Sequence, residues 1–167
     1  KGYAMTGARL GWAVAPAEIT DLMIGLAGAT TYGLPGFIQD AALFALTECA
    51  GQEAEVVARY PPRRDIALAA VQGSTAVSVV PPQGGMYVML DVRRTGLSGT
   101  AFANRLLDAC AIGVMPGESF GKAAAGHIRI ALTVEDSALD AAMRAIVRFA
   151  EDAPGLARPG AAAVRGS

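Results

Sequence analysis

The hydrophobic period of this chain changes repeatedly, and nearly every change is marked by proline or glycine. Val77–Val80 reads as a strand stopped by Pro81-Pro82. Gly84-Gly85 then permits a turn before the alternating run Met86-Tyr-Val-Met-Leu-Asp91. Ile112–Met115 is a further short strand, and in His127-Ile-Arg-Ile-Ala-Leu132 strict alternation sets Ile128, Ile130 and Leu132 on one face and His127, Arg129 and Ala131 on the other. Between these runs the period is helical. Ile19, Leu22, Met23 and Leu26 form one stripe after Pro16, with Glu18 facing the positive helix end, and this helix is expected to give out in Gly28–Gly33. Pro35 opens a second, striped by Ile38, Ala41, Ala42, Ala45, Leu46 and Cys49 and stopped by Gly51. Residues 52–72 carry helix formers, but Pro61-Pro62 would cost a straight helix about 3 kcal/mol, so a break or kink is expected there. Ser98 is placed to cap a helix striped by Phe102, Ala103, Leu106, Leu107 and Cys110. Thr133-x-x-Asp136 reads as a capping-box-like start for one striped by Leu139, Ala142, Met143, Ile146, Val147 and Ala150. The chain is therefore one of short strands alternating with helices.

Two stretches carry chemistry. In Lys1-Gly-Tyr-Ala-Met-Thr-Gly-Ala-Arg-Leu-Gly-Trp12 an amine and a guanidinium flank a small-residue loop, ahead of an apolar run to Ala15 that reads as a buried strand. A desolvated amine is a nucleophile able to form a Schiff base with an aldehyde, and the planar fork of Arg9 fits a phosphate better than a point charge does. In the second stretch, alternation turns Arg129 towards a cleft, where a guanidinium can grip an α-carboxylate with two parallel bonds. His127 has no partner that the sequence identifies and is read as structural or exposed.

Composition removes other classes. Of 167 residues 53% are hydrophobic and 17% charged, ample for a core, and a net charge of -1 without a basic block gives no footprint for nucleic acid or an anionic membrane. Apolar runs end well short of the roughly 20 residues that span a bilayer, so the expected location is cytoplasmic. Cys49 and Cys110 sit in helical stripes without metal-like spacing and are expected to be reduced core thiols, and a single histidine argues against a His-based metal site.

The opening stretch resembles the Lys-x-Tyr-x-Met-x-Gly-x-Arg-x-Gly signature of class I and II pyridoxal-phosphate aminotransferases. Four more segments resemble the family in the same order. These are Gln39-Asp-Ala-Ala42, the strand entered through Gly84-Gly-Met-Tyr87, the Pro116-Gly-Glu-Ser-Phe-Gly121 loop and Gly126-His-Ile-Arg-Ile130. The resemblance implies an α/β fold in which residues 1–48 end a mainly parallel large domain with the start of an interdomain helix, and residues 52–152 form a small C-terminal α/β domain. It implies pyridoxal 5′-phosphate as cofactor, Lys1 as the catalytic, cofactor-binding lysine, Arg9 as the cofactor-phosphate arginine, and Arg129 as the binder of the substrate carboxylate. Tyr87 is a substrate-lining candidate, although a packed strand aromatic is the plainer role, and Phe120 would anchor its loop. The implied substrates are an amino acid and a 2-keto acid. A homodimer is implied for the intact protein, with Thr30, Thr31 and Tyr32 as candidate contacts.

Two other readings fit the same residues: a β-lyase of this fold, and a transcription regulator in which an aminotransferase-like domain follows a DNA-binding helix-turn-helix. The chain opens on Lys1 without an initiator methionine and is read as the downstream part of a longer protein. The stretch 153–167, rich in Ala, Gly and Pro, has no periodic apolar face and is expected to be a disordered or vector-derived tail.

Overall fold

The computed structural model describes residues 2–153, so Lys1 and all of the expected tail 153–167 except Ala153 lie outside the described residues; Ala153 itself is buried at the end of the last helix. The chain divides into two compact units, one ending at Arg59 and the other beginning at Tyr60.

In the first unit a 3-10 turn at Thr6–Ala8 is followed by three helices, α1 (Ala17–Thr30), α2 (Gly36–Glu48) and α3 (Gln52–Ala58). Pro16 and Pro35 stand immediately before α1 and α2, where a fixed φ near that of a helix costs nothing and no N–H is needed. Helix α1 runs through Gly28 to Thr30, three residues into the expected loop. There the hydroxyl of Thr30 donates to the Leu26 carbonyl, 2.8 Å away, and that of Thr31 to the Ala27 carbonyl. The turn follows at Tyr32 and Gly33, both at positive φ. The strand expected from Arg9 to Ala15 does not form, and the segment is neither helix nor strand. A strand exists only by pairing its backbone groups with a neighbour, and the described residues of this unit offer no other strand. Burial is slight as well: α1 buries no residue, and α2 buries only Ala42 and Ala45.

The second unit is a two-layer α/β structure. Helix α4 (Tyr60–Val71) starts afresh after the break that Pro61-Pro62 imposes, both prolines lying in its first turn. A four-stranded antiparallel sheet follows in the order β1 (Ser78–Val80), β2 (Tyr87–Asp91), β4 (His127–Ala131), β3 (Met115–Pro116). Only the end of the strand expected over Ile112–Met115 is realised. Helix α5 (Gly99–Cys110) is capped as its sequence indicates, Ser98 Oγ accepting the Ala101 N–H at 3.1 Å. Helix α6 (Asp136–Asp152) starts later than the Thr133 capping box would have it: Glu135 takes the capping position without a side-chain bond, and Asp136 is engaged by Arg63 at 2.8 Å. Arg63 also donates to the Leu132 carbonyl at 3.3 Å, tying the start of α4 to the turn between β4 and α6.

One face of the sheet is covered by these three helices. Val88, Leu90, Ile128, Ile130 and Leu132 pack with Phe102 and Leu106 of α5, Leu139, Met143 and Ile146 of α6, and Ala67 and Val71 of α4. Burying each large side chain is worth about 1.5–3 kcal/mol, so this layer contact is the main source of the unit's stability. Phe102 meets Phe149 edge to face, centroids 5.2 Å apart. Cys49 and Cys110 are both free thiols, each part-buried rather than fully in a core.

Candidate active-site elements

The other face of the sheet carries Tyr87, Met89 and Asp91 on β2 and His127 and Arg129 on β4, with Met89 paired to Arg129 and Asp91 to His127. Arg129 is half-buried there. Its guanidinium carbon lies 4.1 Å from the centroid of the Tyr87 ring and 4.2 Å from that of Phe120, which reaches it from the loop after β3. Stacking on two ring faces fixes the plane of the guanidinium while leaving its N–H edge available. No carboxylate or carbonyl takes those donors among the described residues. Arg63, Arg64, Arg93 and Arg144 are each paired with an acid, and the other described arginines, Arg9, Arg59, Arg94, Arg105 and Arg148, are exposed. Arg129 is thus the one arginine, among the described residues, that is withdrawn from solvent without an acidic partner. Such a cation is poised for an anion arriving from outside.

The acid that β2 places on this face, Asp91, is already satisfied. Asp91 accepts the backbone N–H of Arg93 at 2.9 Å and its guanidinium at 2.6 Å, and these bonds hold the Asp91 carboxyl down to about 2 from its usual 3.8. Arg93 is raised in turn by the same partner. His127, read as structural or exposed, is part-buried, with Nδ1 3.0 Å from the Ala125 carbonyl.

The loop that delivers Phe120 is a 3-10 turn, Gly117–Phe120. Gly117 is required because a Cβ there would strike the Ala124 carbonyl. Glu118 Oε1 accepts two backbone N–H groups, Gly99 at 2.9 Å and Gly126 at 3.0 Å, and Oε2 accepts the Thr100 hydroxyl at 3.4 Å. The Gly126 N–H, with the others, lowers the carboxyl below the ordinary range. The sequence reading gave Phe120 the part of a loop anchor. Instead it is 46% exposed, and its ring is spent on Arg129. Glu118 was missed altogether, since both of its backbone partners lie in distant segments.

In the first unit Arg9 is exposed, at a left-handed φ of 54°, and gives one N–H to the Thr6 carbonyl at 3.1 Å. Its remaining donors and the Thr6 hydroxyl are of the kind that a phosphate accepts. Lys1 lies outside the described residues, and no group of His, Cys, Asp and Glu among the described residues is placed to hold a metal ion.

Comparison with known proteins bears on both stretches. Residues 1–146 match the family described as aminotransferase class I and II. The arginine–pyruvate transaminase of Pseudomonas aeruginosa is 43% identical over 157 residues, 94% of this chain and 40% of that protein. Among solved structures, the aromatic aminotransferase of Pyrococcus horikoshii is similar at a TM-score of 0.77 and 30% identity, covering 90% of this chain and 41% of its own. The aspartate aminotransferase of Thermus thermophilus with maleate gives 0.74 and 32%, covering 89% and 38%. The chain therefore spans about two fifths of the length of these relatives. The α/β fold, the ordered motifs and a family match reaching from Lys1 past Arg129 lead to one conclusion: this chain belongs to the aminotransferase class I and II family.

Proposed function

We propose that the protein transfers an amino group between an amino acid and a 2-keto acid with pyridoxal 5′-phosphate as cofactor, and that this chain supplies Lys1, Arg9 and Arg129 to that reaction. The observation that carries the reading is Arg129, clamped by Tyr87 and Phe120 with its donor edge unclaimed. Both substrates share a carboxylate next to the reacting carbon, and two parallel N–H···O bonds from one guanidinium fix that carbon's orientation as well as its affinity. Tyr87 lines the same place and holds the fork in plane. The donor set at Thr6–Arg9 suits the cofactor's phosphate, and Lys1 Nζ is the group that would hold the cofactor and move the proton at the substrate's α carbon. When bound, pyridoxal phosphate supplies the electron sink for that proton transfer.

In this reading residues 1–48 belong to a large cofactor domain and 52–152 to a small one, and the intact protein works as a cytoplasmic homodimer with Thr30–Tyr32 at the contact. The substrate pair named for the Pseudomonas relative, arginine and pyruvate, is the first to try. The full-length protein, loaded with cofactor, is mixed with arginine, aspartate or an aromatic amino acid and with pyruvate or 2-oxoglutarate, and the new keto acid is identified by mass spectrometry. Amino-group exchange in any pair supports the proposal. Release of ammonia and pyruvate from β-substituted amino acids, with no exchange in any pair, would replace transfer by elimination.

A further inference from the structure

We propose that Glu118 is a positioning residue, which ties the Gly117–Phe120 turn to the start of α5 and to the turn before β4 and so holds Phe120 against Arg129 for carboxylate binding. The proposal rests on the reading of Arg129 given above and extends it to a residue whose carboxylate is taken up by donors of the protein itself.

The turn needs an outside anchor. It spans only Gly117–Phe120, follows the two-residue strand β3, and ends in an aromatic ring that is not held by burial. Glu118 provides the anchor from the middle of the turn. Its Oε1 receives N–H groups from two separate segments, Gly99 at the first residue of α5 and Gly126 just ahead of β4. The approach is close by construction. A Cβ at Gly99 would run into the His127 carbonyl and the Glu118 carboxylate, and Gly126 has a φ of 73° with the Arg93 side chain where its Cβ would be. From Gly126 the chain passes directly into the strand that bears Arg129, and from Glu118 it passes in two residues to Phe120. One carboxylate oxygen therefore fixes both partners of the stack, the ring from the loop and the guanidinium from the strand.

Because both backbone bonds end on the same oxygen, the prediction separates geometry from charge. Glutamine keeps one carbonyl oxygen at that place, and its amide group can donate to the Thr100 hydroxyl, so Glu118→Gln should leave KM for amino and keto acid within about twofold of wild type. Glu118→Ala removes the anchor, and Glu118→Asp withdraws it by one methylene. Each should raise both KM values roughly tenfold with kcat changed much less, because the stack loosens while the proton-transfer group is untouched.

The test uses the full-length, cofactor-loaded protein with arginine and pyruvate or whichever pair proves active, with Arg129→Ala and Phe120→Ala measured alongside. Hydrogen exchange at the Gly99 and Gly126 amides reports the first link directly and should quicken in Glu118→Asp but not in Glu118→Gln. If Glu118 acts through Phe120, adding Glu118→Asp to Phe120→Ala should raise KM by little more than Phe120→Ala alone. Should Glu118→Ala fail to accumulate as folded protein, Glu118→Asp and this double variant carry the decision. Wild-type KM values in folded Glu118→Asp, equal damage from Gln and Asp, or additive effects with Phe120→Ala would each overturn the positioning role while a raised KM in Arg129→Ala keeps the functional reading. An unchanged KM in Arg129→Ala removes that reading, and this inference with it.

Discussion

Leu22 in α1 and Leu106 in α5 hold similar places in helical apolar stripes, yet Leu22 is 72% exposed and Leu106 is fully buried. The helices are comparable in length and each begins at a well-marked turn. What differs is the surface opposite. Helix α5 lies on a sheet whose inner face is a row of Val, Leu and Ile, whereas α1 meets no sheet among the described residues of its own unit. A stripe therefore specifies which side of a helix is available for burial, and the partner surface decides whether burial happens. Stability is concentrated after Tyr60. The apolar side chains of the earlier helices, Ile24, Leu26, Phe37 and Phe44 among them, are exposed rather than core.

The largest effect that would break this comparison is a core truncation. Phe102→Ala should cost about 3–5 kcal/mol, while Leu22→Ala should stay within about 0.5 kcal/mol, both from urea unfolding of this chain followed by circular dichroism. Equal costs would show that α1 is packed as firmly as α5. Next in size is the functional consequence of the half-buried guanidinium. Arg129→Ala in the full-length protein should lose about 1.5–3 kcal/mol of substrate binding, a roughly ten- to hundredfold rise in KM, with cofactor content measured by absorbance unchanged. Smaller again is the helix start: Ser98→Ala should destabilise the second unit by about 1 kcal/mol, whereas α1, which has no side-chain cap, has no such bond to lose.

The smallest effect is in acid. The folded-state pKa of Asp91 is about 2, below its ordinary 3.8, so its pairing with Arg93 stabilises the fold above pH ~4 and the contribution fades as pH falls towards 2. The stability difference between wild type and Asp91→Asn, from thermal melts across that window, should shrink towards zero at its lower end. A difference independent of pH would mean that the ion pair is not what holds the Asp91–Arg93 turn.

Local signals in the sequence were read well where local chemistry decides the outcome. Ser98 caps α5, Pro61-Pro62 restart a helix, and alternation puts Ile128 and Ile130 inward and Arg129 outward, because each follows from neighbours within a few residues. Reading failed where a distant partner decides. The apolar run from Leu10 to Ala15 has the composition of a strand and nothing to pair with, and Thr133 loses the start of α6 because Arg63, far back in sequence, engages Asp136 instead. The candidate site divides in the same way. Arg129 could be singled out from one strand, but its clamp required β2, β4 and a loop to be assembled together, and Glu118 left no periodic trace at all.

Strand β4 is hydrogen-bonded on both sides, to β2 along its whole length and to β3 at its centre, whereas the ring that meets Arg129 from the far side of β3 rides on a short turn. This arrangement divides the evolutionary freedom of the site. Altering the guanidinium's position means shifting the middle of a sheet together with the helices packed beneath it, so most changes there are lost with the fold. Apart from Phe120, the side chains of residues 119–125 are under no such obligation, and substitutions among them would change the loop's surface while the Glu118–Gly126 bond and the stack on Arg129 stay in place. If Arg129 holds the substrate carboxylate as proposed, divergence should accumulate first in the loop positions other than Phe120, with preference for new side chains arising around an unchanged guanidinium.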